Sequence, residues 1–419
     1  MTGHDCLWKE GFRRTLSHHQ ILIIGGGAAG IAAATSLHKR NMSLDIAVVE
    51  PSDTHYYQPG WTMVGGGVFS QDMTARPMVS VMPPYVTHIV GAVATFQPEQ
   101  NQVTLQDETT LSYEFLIVAA GCKIGWTAIE GLEETLGKNG VTSNYRHDLA
   151  PYTWKLVQTM QGKEAIFTQP PMPIKCAGAP QKAMYLSCSA WRSAGKLENI
   201  NVTFCNAGKV LFGCATYVPA LMEYVTDYGI NLEFGSNLVQ VDGHNQIAFF
   251  LTASPGEETR IIERKFDMLH VCPPQIAPDF IVESPLASVG GWMAVDPQTM
   301  QSTVADNIFG LGDVTSTPNA KTAAAARKQA PLVAENLLAL MAKKAMPKAY
   351  DGYGSCPLTV EHGKIILAEF GYGGKVMPSF PWDSTKPRRA AWTLKKSVLP
   401  WVYWNAMLKG REWLTRVST

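Results

Sequence analysis

The stretch Gln20-Ile21-Leu22-Ile23-Ile24-Gly25-Gly26-Gly27-Ala28-Ala29-Gly30 decides the fold. Its first five residues are a short, apolar, β-branched run, the pattern of a parallel strand buried on both faces. The glycines that follow contain G-x-G-x-x-G. Gly25 suits a tight turn, Gly27 lets a pyrophosphate approach the backbone, and Gly30 lets a helix pack against the strand. Residues 28–40 are alanine-rich and supply that helix, whose free N-terminal amides and dipole, beginning at Ala28 and Ala29, favour an anionic phosphate. A second apolar strand, Asp45-Ile46-Ala47-Val48-Val49, ends in Glu50, twenty residues after Gly30. That carboxylate can accept from both ribose hydroxyls and would repel a 2′-phosphate. Strand, glycines, helix, strand and terminal acid in this order predict a site for FAD or NAD and not for NADP.

Two later segments favour FAD. Leu116-Ile117-Val118-Ala119-Ala120-Gly121 is another buried strand running into a glycine turn. Asn307-Ile308-Phe309-Gly310-Leu311-Gly312-Asp313 puts an aspartate at the end of an apolar strand, and Lys321, Thr322 and the alanines to Ala326 fit a helix start beyond it. This pairing resembles the two-dinucleotide-domain flavoproteins of the disulfide reductase type. In such proteins the residue matching Asp313 binds the ribityl chain.

The rest of the chain sets limits around that reading. At 419 residues it is long enough for two or three domains. With 46% hydrophobic and 17% charged residues it is globular, and its 35 basic and 35 acidic residues create no net field to attract nucleic acid. The eight cysteines contain no CxxC pair and no zinc-like Cys/His spacing, so neither a disulfide scaffold nor a metal site is expected. The first twenty residues lack the apolar run of an export signal, and no stretch of about 18 apolar residues offers a membrane span. Arg13 and Arg14 with Trp8, Phe12 and Leu16 have the character of an organelle presequence, which Asp5 and Glu10 oppose.

The middle of the chain carries a second nucleotide-type strand, Glu164-Ala165-Ile166-Phe167-Thr168, but no second glycine motif. Instead Gln169-Pro170-Pro171-Met172-Pro173-Ile174-Lys175-Cys176-Ala177-Gly178-Ala179-Pro180 leads into a helix from about 181 to 191. Proline has no amide hydrogen to offer a pyrophosphate, so the reductant is expected not to be a nicotinamide. Cys176 lies just before a helix N-terminus and beside Lys175, where dipole and charge both lower a thiol pKa. Cys356 lies in a turn-rich segment, Tyr350-Asp351-Gly352-Tyr353-Gly354-Ser355-Cys356-Pro357-Leu358.

These pieces together, with Tyr57-Gln58-Pro59, Met268-Leu269-His270-Val271 and Trp404-Asn405, resemble sulfide:quinone oxidoreductases, especially the branch containing the mitochondrial enzyme. The resemblance covers most of the chain. It implies an α/β protein with two Rossmann-like domains, the FAD domain being discontinuous. Expected bounds are an extension at 1–20, FAD-domain parts at 20–150 and 296–345, a second domain without a working NAD motif at 151–295, and a C-terminal region at 346–419. FAD would contact the glycine turn at Gly25, Gly27, Ala28, Ala29 and Gly30, then Glu50, Gln58, Val93, Asp313 and Lys321. Cys176 would be the flavin-proximal redox thiol. Cys356 would hold sulfane sulfur from hydrogen sulfide as a persulfide, to be passed to glutathione, sulfite or a similar acceptor. A membrane quinone would take the electrons. Cys122, Cys188, Cys205, Cys214 and Cys272 are assigned to structure, as are His55 and His270.

A quinone partner calls for contact with lipid. Residues 380–419 hold Trp382, Trp392, Trp401, Trp404 and Trp413 with eight basic residues, Lys395 among them, against Asp383 and Glu412. Tryptophan with basic residues is the composition of an interfacial helix. Pro400 is expected to divide it in two, with Leu394, Val398 and Trp401, then Trp404 and Leu408, at helical spacing. A monotopic protein of a mitochondrial inner or bacterial plasma membrane follows, with a homo-oligomer left open. Two rivals remain: a type-two NADH:quinone oxidoreductase, and an FAD-binding interaction protein without turnover.

Overall fold

The computed structural model describes residues 17–252, 258–413 and 415; the presequence-like residues and Cys6 lie outside them. The opening motif folds as its pattern dictates. β1 (Ser17–Ile24) leads through the glycine turn into α1 (Ala28–Arg40), and β2 (Ile46–Val49) returns parallel to β1 with Ile21 opposite Ile46. Ile21 to Ile24 are buried, as a strand covered on both faces requires. The sheet runs Thr87–Ile89, β2, β1, Thr110–Val118, then the antiparallel pair Gln102–Leu105 and Val93–Gln97. Strand Ile308–Gly310 joins the end of Thr110–Val118 in parallel, nearly 190 residues later in the chain, so this sheet is discontinuous in sequence.

Between these parts lies a second, wholly parallel sheet of five strands. Its order is Val141–Thr142, Met268–His270, Glu164–Gln169, Asn201–Asn206 and Asn231–Phe234. Helix Ala179–Ser193 packs on it, placing Met184, Tyr185, Cys188 and Trp191 in its core.

The strands Gly354–Glu361 and Lys364–Phe370 form an antiparallel ribbon in which Ser355 faces Glu369 and Cys356 faces Ala368. Alternation sorts the side chains. Cys356, Leu358, Ile366 and Ala368 pack on helix Ala179–Ser193 with the second core, whereas Ser355, Pro357, Leu367 and Glu369 face the opposite way.

The C-terminal region departs from expectation. Pro400 does not divide it: Arg389–Thr393, Leu394–Val398 and Leu399–Asn405 run on as one helix, the middle segment being a π turn. Pro400 sits in the first turn of the last segment, and the wide turn before it accommodates the missing amide hydrogen. Nor does the whole stretch face outward. Tyr403, Trp404, Met407 and Leu408 enter the core of the first sheet's domain, Trp404 stacks under Arg76 at 4.2 Å, and Lys395 is only 3% exposed. Val398, Trp401 and Trp413 do remain 43%, 44% and 54% exposed, with the two indoles 5.4 Å apart. Glu412 fastens the terminal segment to α1, accepting from Ser36 (2.5 Å), Lys39 (2.9 Å) and Arg40. No helix among the described residues is long and apolar enough to cross a membrane.

Candidate active site

A cleft of about 420 Å³ runs from the glycine turn to the C-terminal helix. Gly25 adopts φ +104°, and a Cβ there would stand 2.6 Å from the Ala119 carbonyl oxygen, so the turn admits only glycine. A Cβ on Gly30 would lie 1.8 Å from the Gly25 carbonyl oxygen, which is the close helix–strand contact the motif requires. Gly27 differs, because a Cβ there meets nothing within 4 Å; it opens onto the cleft at the start of α1. Glu50 stands below, its two oxygens accepting from Gly26 N (2.7 Å) and Ser52 N (2.8 Å).

The cleft wall fits an FAD. Five cations, Lys175, Lys182, Lys321, Arg327 and Lys395, outnumber the carboxylates Glu50, Asp313 and Glu369, as a diphosphate ligand favours. Asn144, 5% exposed, has neither amide atom partnered among the described residues, and the Trp61 Nε1 is likewise orphaned. Buried polar atoms without partners on a cleft wall mark where a polar ligand would bond. Lys321 donates to the Asp313 and Thr315 carbonyls at 2.7 and 2.8 Å and lies 3.9 Å from the Trp292 ring. Burial raises the Asp313 pKa and lowers that of Lys321.

Cys176 and Cys356, 180 positions apart, bring their sulfurs within 3.5 Å. Cys176 lines the cleft and Cys356 lies behind it. Cys176 has φ +51°, a left-handed conformation uncommon for a residue with a Cβ, and is held by its N–H donating to Lys321 O (2.8 Å) and its carbonyl accepting from Ala179 N (2.7 Å). Gly178 makes room for the pair: a Cβ there would approach Cys356 Sγ to 2.6 Å and Leu358 to 2.3 Å.

The two thiols differ in acidity. A hydrogen bond from Cys356 and the Lys182 ammonium 3.0 Å from its sulfur, outweighing burial, hold Cys176 well below the ordinary thiol pKa. The same hydrogen bond and burial push Cys356 well above it. Burial opposes the charge on Lys182, but the two sulfurs outweigh it and raise the pKa of the lysine. Cys176 is thus the thiolate and Cys356 the proton donor. Burial and the Lys182 charge bring Lys395, whose Nζ donates to Pro59 O at 2.9 Å, down to about 8.

Gly25, Gly27, Ala28, Ala29, Glu50, Gln58, Asp313, Lys321 and Cys176 all line this cleft. Gly30 supports it from the helix–strand contact. Val93 does not reach it: its side chain joins the core on the other side of the sheet and borders a separate surface pocket with Cys122. The cation beside the sulfur is Lys182 and not Lys175, whose Nζ instead donates to Gln58 at 2.7 Å. Lys182, Lys395, Arg327, Tyr353 and Glu369 were not singled out from the sequence as site residues. Lys182 alone had a signal available, since a lysine in the first turn of the helix after Cys176 can reach back to that sulfur. Burial raises Cys122, Cys205 and Cys272 to about 11, 12 and 12, as inert thiols require, and lowers His55 and His270 to about 4. His55 is fixed between Gly26 O (3.1 Å) and the Tyr403 hydroxyl (2.7 Å).

The family model for pyridine nucleotide-disulphide oxidoreductases matches residues 19–330. The mitochondrial sulfide:quinone oxidoreductase of Mus musculus is 38% identical over 98% of this chain and 89% of its own length. That of Dictyostelium discoideum is 41% identical over 94% and 86%. Among solved structures, the sulfide:quinone oxidoreductase of Aquifex aeolicus shares the fold with a TM-score of 0.74 at 20% identity, covering 93% of this chain and 92% of that one. With its dinucleotide cleft, its facing thiols and these relatives over nearly its full length, the chain belongs to the sulfide:quinone oxidoreductase family of FAD-binding oxidoreductases.

Proposed function

We propose that this protein oxidises sulfide at the Cys176–Cys356 pair and delivers the two electrons to a membrane quinone. The observation that carries the reading is the 3.5 Å approach of two thiols of opposite acidity on the wall of a dinucleotide cleft. With the pair oxidised, hydrosulfide attacks Cys356 Sγ, the S–S bond breaks, and Cys176 leaves as a thiolate. Cys356 is left as a persulfide. The better leaving group is the sulfur with the lower pKa, and Lys182 supplies that preference to Cys176. A thiolate acceptor such as glutathione, or sulfite, then attacks the outer sulfur and frees Cys356, and loss of two electrons from the two thiolates restores their bond. FAD, held by the glycine turn, Glu50, Asp313 and Lys321, would supply the two-electron acceptor between these thiolates and the quinone.

The quinone end is assigned to the apolar part of the cleft, where Pro357, Leu367 and Phe380 face Leu394, Leu399 and Val402 of the C-terminal helix. The exposed Val398, Trp401 and Trp413, with Lys396, Lys409 and Arg411 beside them in sequence, would seat that end on a lipid surface. Because the relatives are mitochondrial, the surface proposed is the mitochondrial inner membrane. The test is anaerobic mixing of the FAD-loaded protein with sulfide and sulfite, or with NADH, while the flavin absorbance is followed. Bleaching by sulfide with sulfite, and added sulfur on Cys356 by mass when sulfite is left out, supports the reading. Bleaching by NADH alone replaces it with an NADH:quinone oxidoreductase, and no response to either refutes turnover.

A further inference from the structure

Two of the three carboxylates on the cleft wall are committed to the nucleotide end. Glu50 holds the glycine turn, and Asp313 lies beside Lys321. Glu369 sits apart. It projects from the cleft-facing side of the ribbon opposite Ser355, is only 3% exposed, and borders the apolar end. A buried carboxylate among aliphatic side chains is costly unless its oxygens are bonded. Its Oε1 accepts from the Tyr353 hydroxyl at 2.5 Å and the Ser379 hydroxyl at 2.6 Å, and its Oε2 accepts from Ser379 N at 2.9 Å. Tyr353 and Ser379 both line the cleft, and Ser379 is in addition exposed to solvent. Arg327, whose Nε has no partner among the described residues, faces Tyr353 and Glu369 from helix Ala323–Met341. From the same helix Lys328 Nζ lies 3.7 Å from the Tyr353 ring centre. Asp351 Oδ1 accepts from Tyr353 N at 3.1 Å, and the Tyr217 hydroxyl bonds the Glu369 backbone from behind.

Reducing a quinone consumes two protons as well as two electrons, and aliphatic walls offer none. We infer that Ser379, Glu369 and Tyr353 form a proton relay from solvent to the quinone, an inference that rests on the quinone assignment above. In each pass the Tyr353 hydroxyl gives its proton to a quinone oxygen. The Glu369 carboxylate takes a proton from solvent through the Ser379 hydroxyl and hands it on to the Tyr353 oxygen, returning to the ionised form in which it accepts from both hydroxyls. Two passes, with the electron pair from the reduced cofactor, convert quinone to quinol. Arg327 favours the anionic quinone oxygen that accepts the proton.

The test separates the half-reactions in FAD-loaded protein. Glu369→Gln and Tyr353→Phe are expected to keep the wild-type rate of flavin bleaching by sulfide but to slow reoxidation by decylubiquinone by about 100-fold, the lower end of what a positioned acid contributes. Ferricenium, which takes electrons without protons, should reoxidise both variants at the wild-type rate. An infrared difference spectrum recorded on quinone addition should show a protonated-carboxyl band in wild type that Glu369→Gln lacks. Tyr353→Phe removes a single hydroxyl, and so tests the relay even if Glu369→Gln fails to fold. Quinone reoxidation within about threefold of wild type in a folded variant overturns the relay, as does equal slowing with quinone and ferricenium. A wild-type protein that sulfide cannot bleach overturns the sulfide reading itself, a separate outcome.

Discussion

Replacing Lys182 with methionine removes the cation 3.0 Å from Cys176 while keeping most of the side-chain volume. At an effective dielectric of about 20, charges that far apart attract by roughly 5.5 kcal/mol as a ceiling. The hydrogen bond from Cys356, the larger influence on the thiolate, and the more distant Lys395 both survive the change. The Cys176 pKa is therefore expected to rise toward the ordinary thiol value without fully reaching it. The assay is iodoacetamide labelling of the reduced, FAD-loaded protein across pH, with the Cys176 peptide counted by mass. Alkylation follows the thiolate, so the Lys182→Met labelling profile should move to higher pH, and Lys182→Arg should bring it most of the way back. An inflection that moves by less than about half a unit would refute the assignment of Lys182 as the thiolate's counter-ion.

Gly27→Ala should fold with wild-type stability, since φ is −74° and its new methyl meets no protein atom, yet lose FAD affinity at least about 10-fold by equilibrium dialysis; unchanged affinity would remove the pyrophosphate from that turn. Lys395 has a folded pKa of about 8 against 10.5 in the open chain. The unfolded chain therefore binds more protons between those values, and stability rises with pH there. The penalty, roughly 3 kcal/mol, is fully present below pH 8. Lys395→Met should raise the melting temperature at pH 7 and flatten the rise up to pH 10.5, whereas a parallel curve would place the ammonium in solvent. Cys176→Ser and Cys356→Ser should each retain FAD and abolish sulfide-driven quinone reduction, and normal turnover in either would end the two-thiol mechanism. Changing Trp401 and Trp413 together to alanine should weaken sedimentation with anionic vesicles about 10-fold or more while activity on a soluble quinone persists; unaltered sedimentation would exclude that patch as the contact.

The nucleotide half of the molecule was legible because its signals are local. Gly25, Gly27 and Gly30 answer to backbone angles and close contacts within a dozen residues, and Glu50 to the strand that carries it. The thiol pair was legible only through resemblance, since nothing in either segment says that residues 180 positions apart converge. Lys175 was the natural counter-ion by adjacency, but the left-handed turn at Cys176 sends it to Gln58 and lets Lys182 return from the helix. Lys395 and Trp404 were misplaced for a geometric reason. The π turn at Leu394–Val398 inserts a residue, so the spacing of an ordinary helix no longer indicates which side faces water. Val93 reads equally well as a cofactor contact or a core valine, and its side chain packs with the core behind the sheet. Glu369, one acid in the apolar strand Lys364–Phe370, announces nothing until Tyr353 and Ser379 are seen to close on it.

The ribbon that pairs Ser355 with Glu369 and Cys356 with Ala368 acts as a partition. On the roles proposed above, sulfur exchange would be confined to one surface of a two-stranded wall and proton traffic to the other, a single residue's rise away. The pleat alone would then keep a nucleophilic persulfide from an electrophilic quinone, with no loop or domain movement. The cost of that economy is intolerance to indels, since adding or deleting one residue between Cys356 and the hairpin would turn the thiol toward the aliphatic slot, onto the same face as the acid of the partner strand.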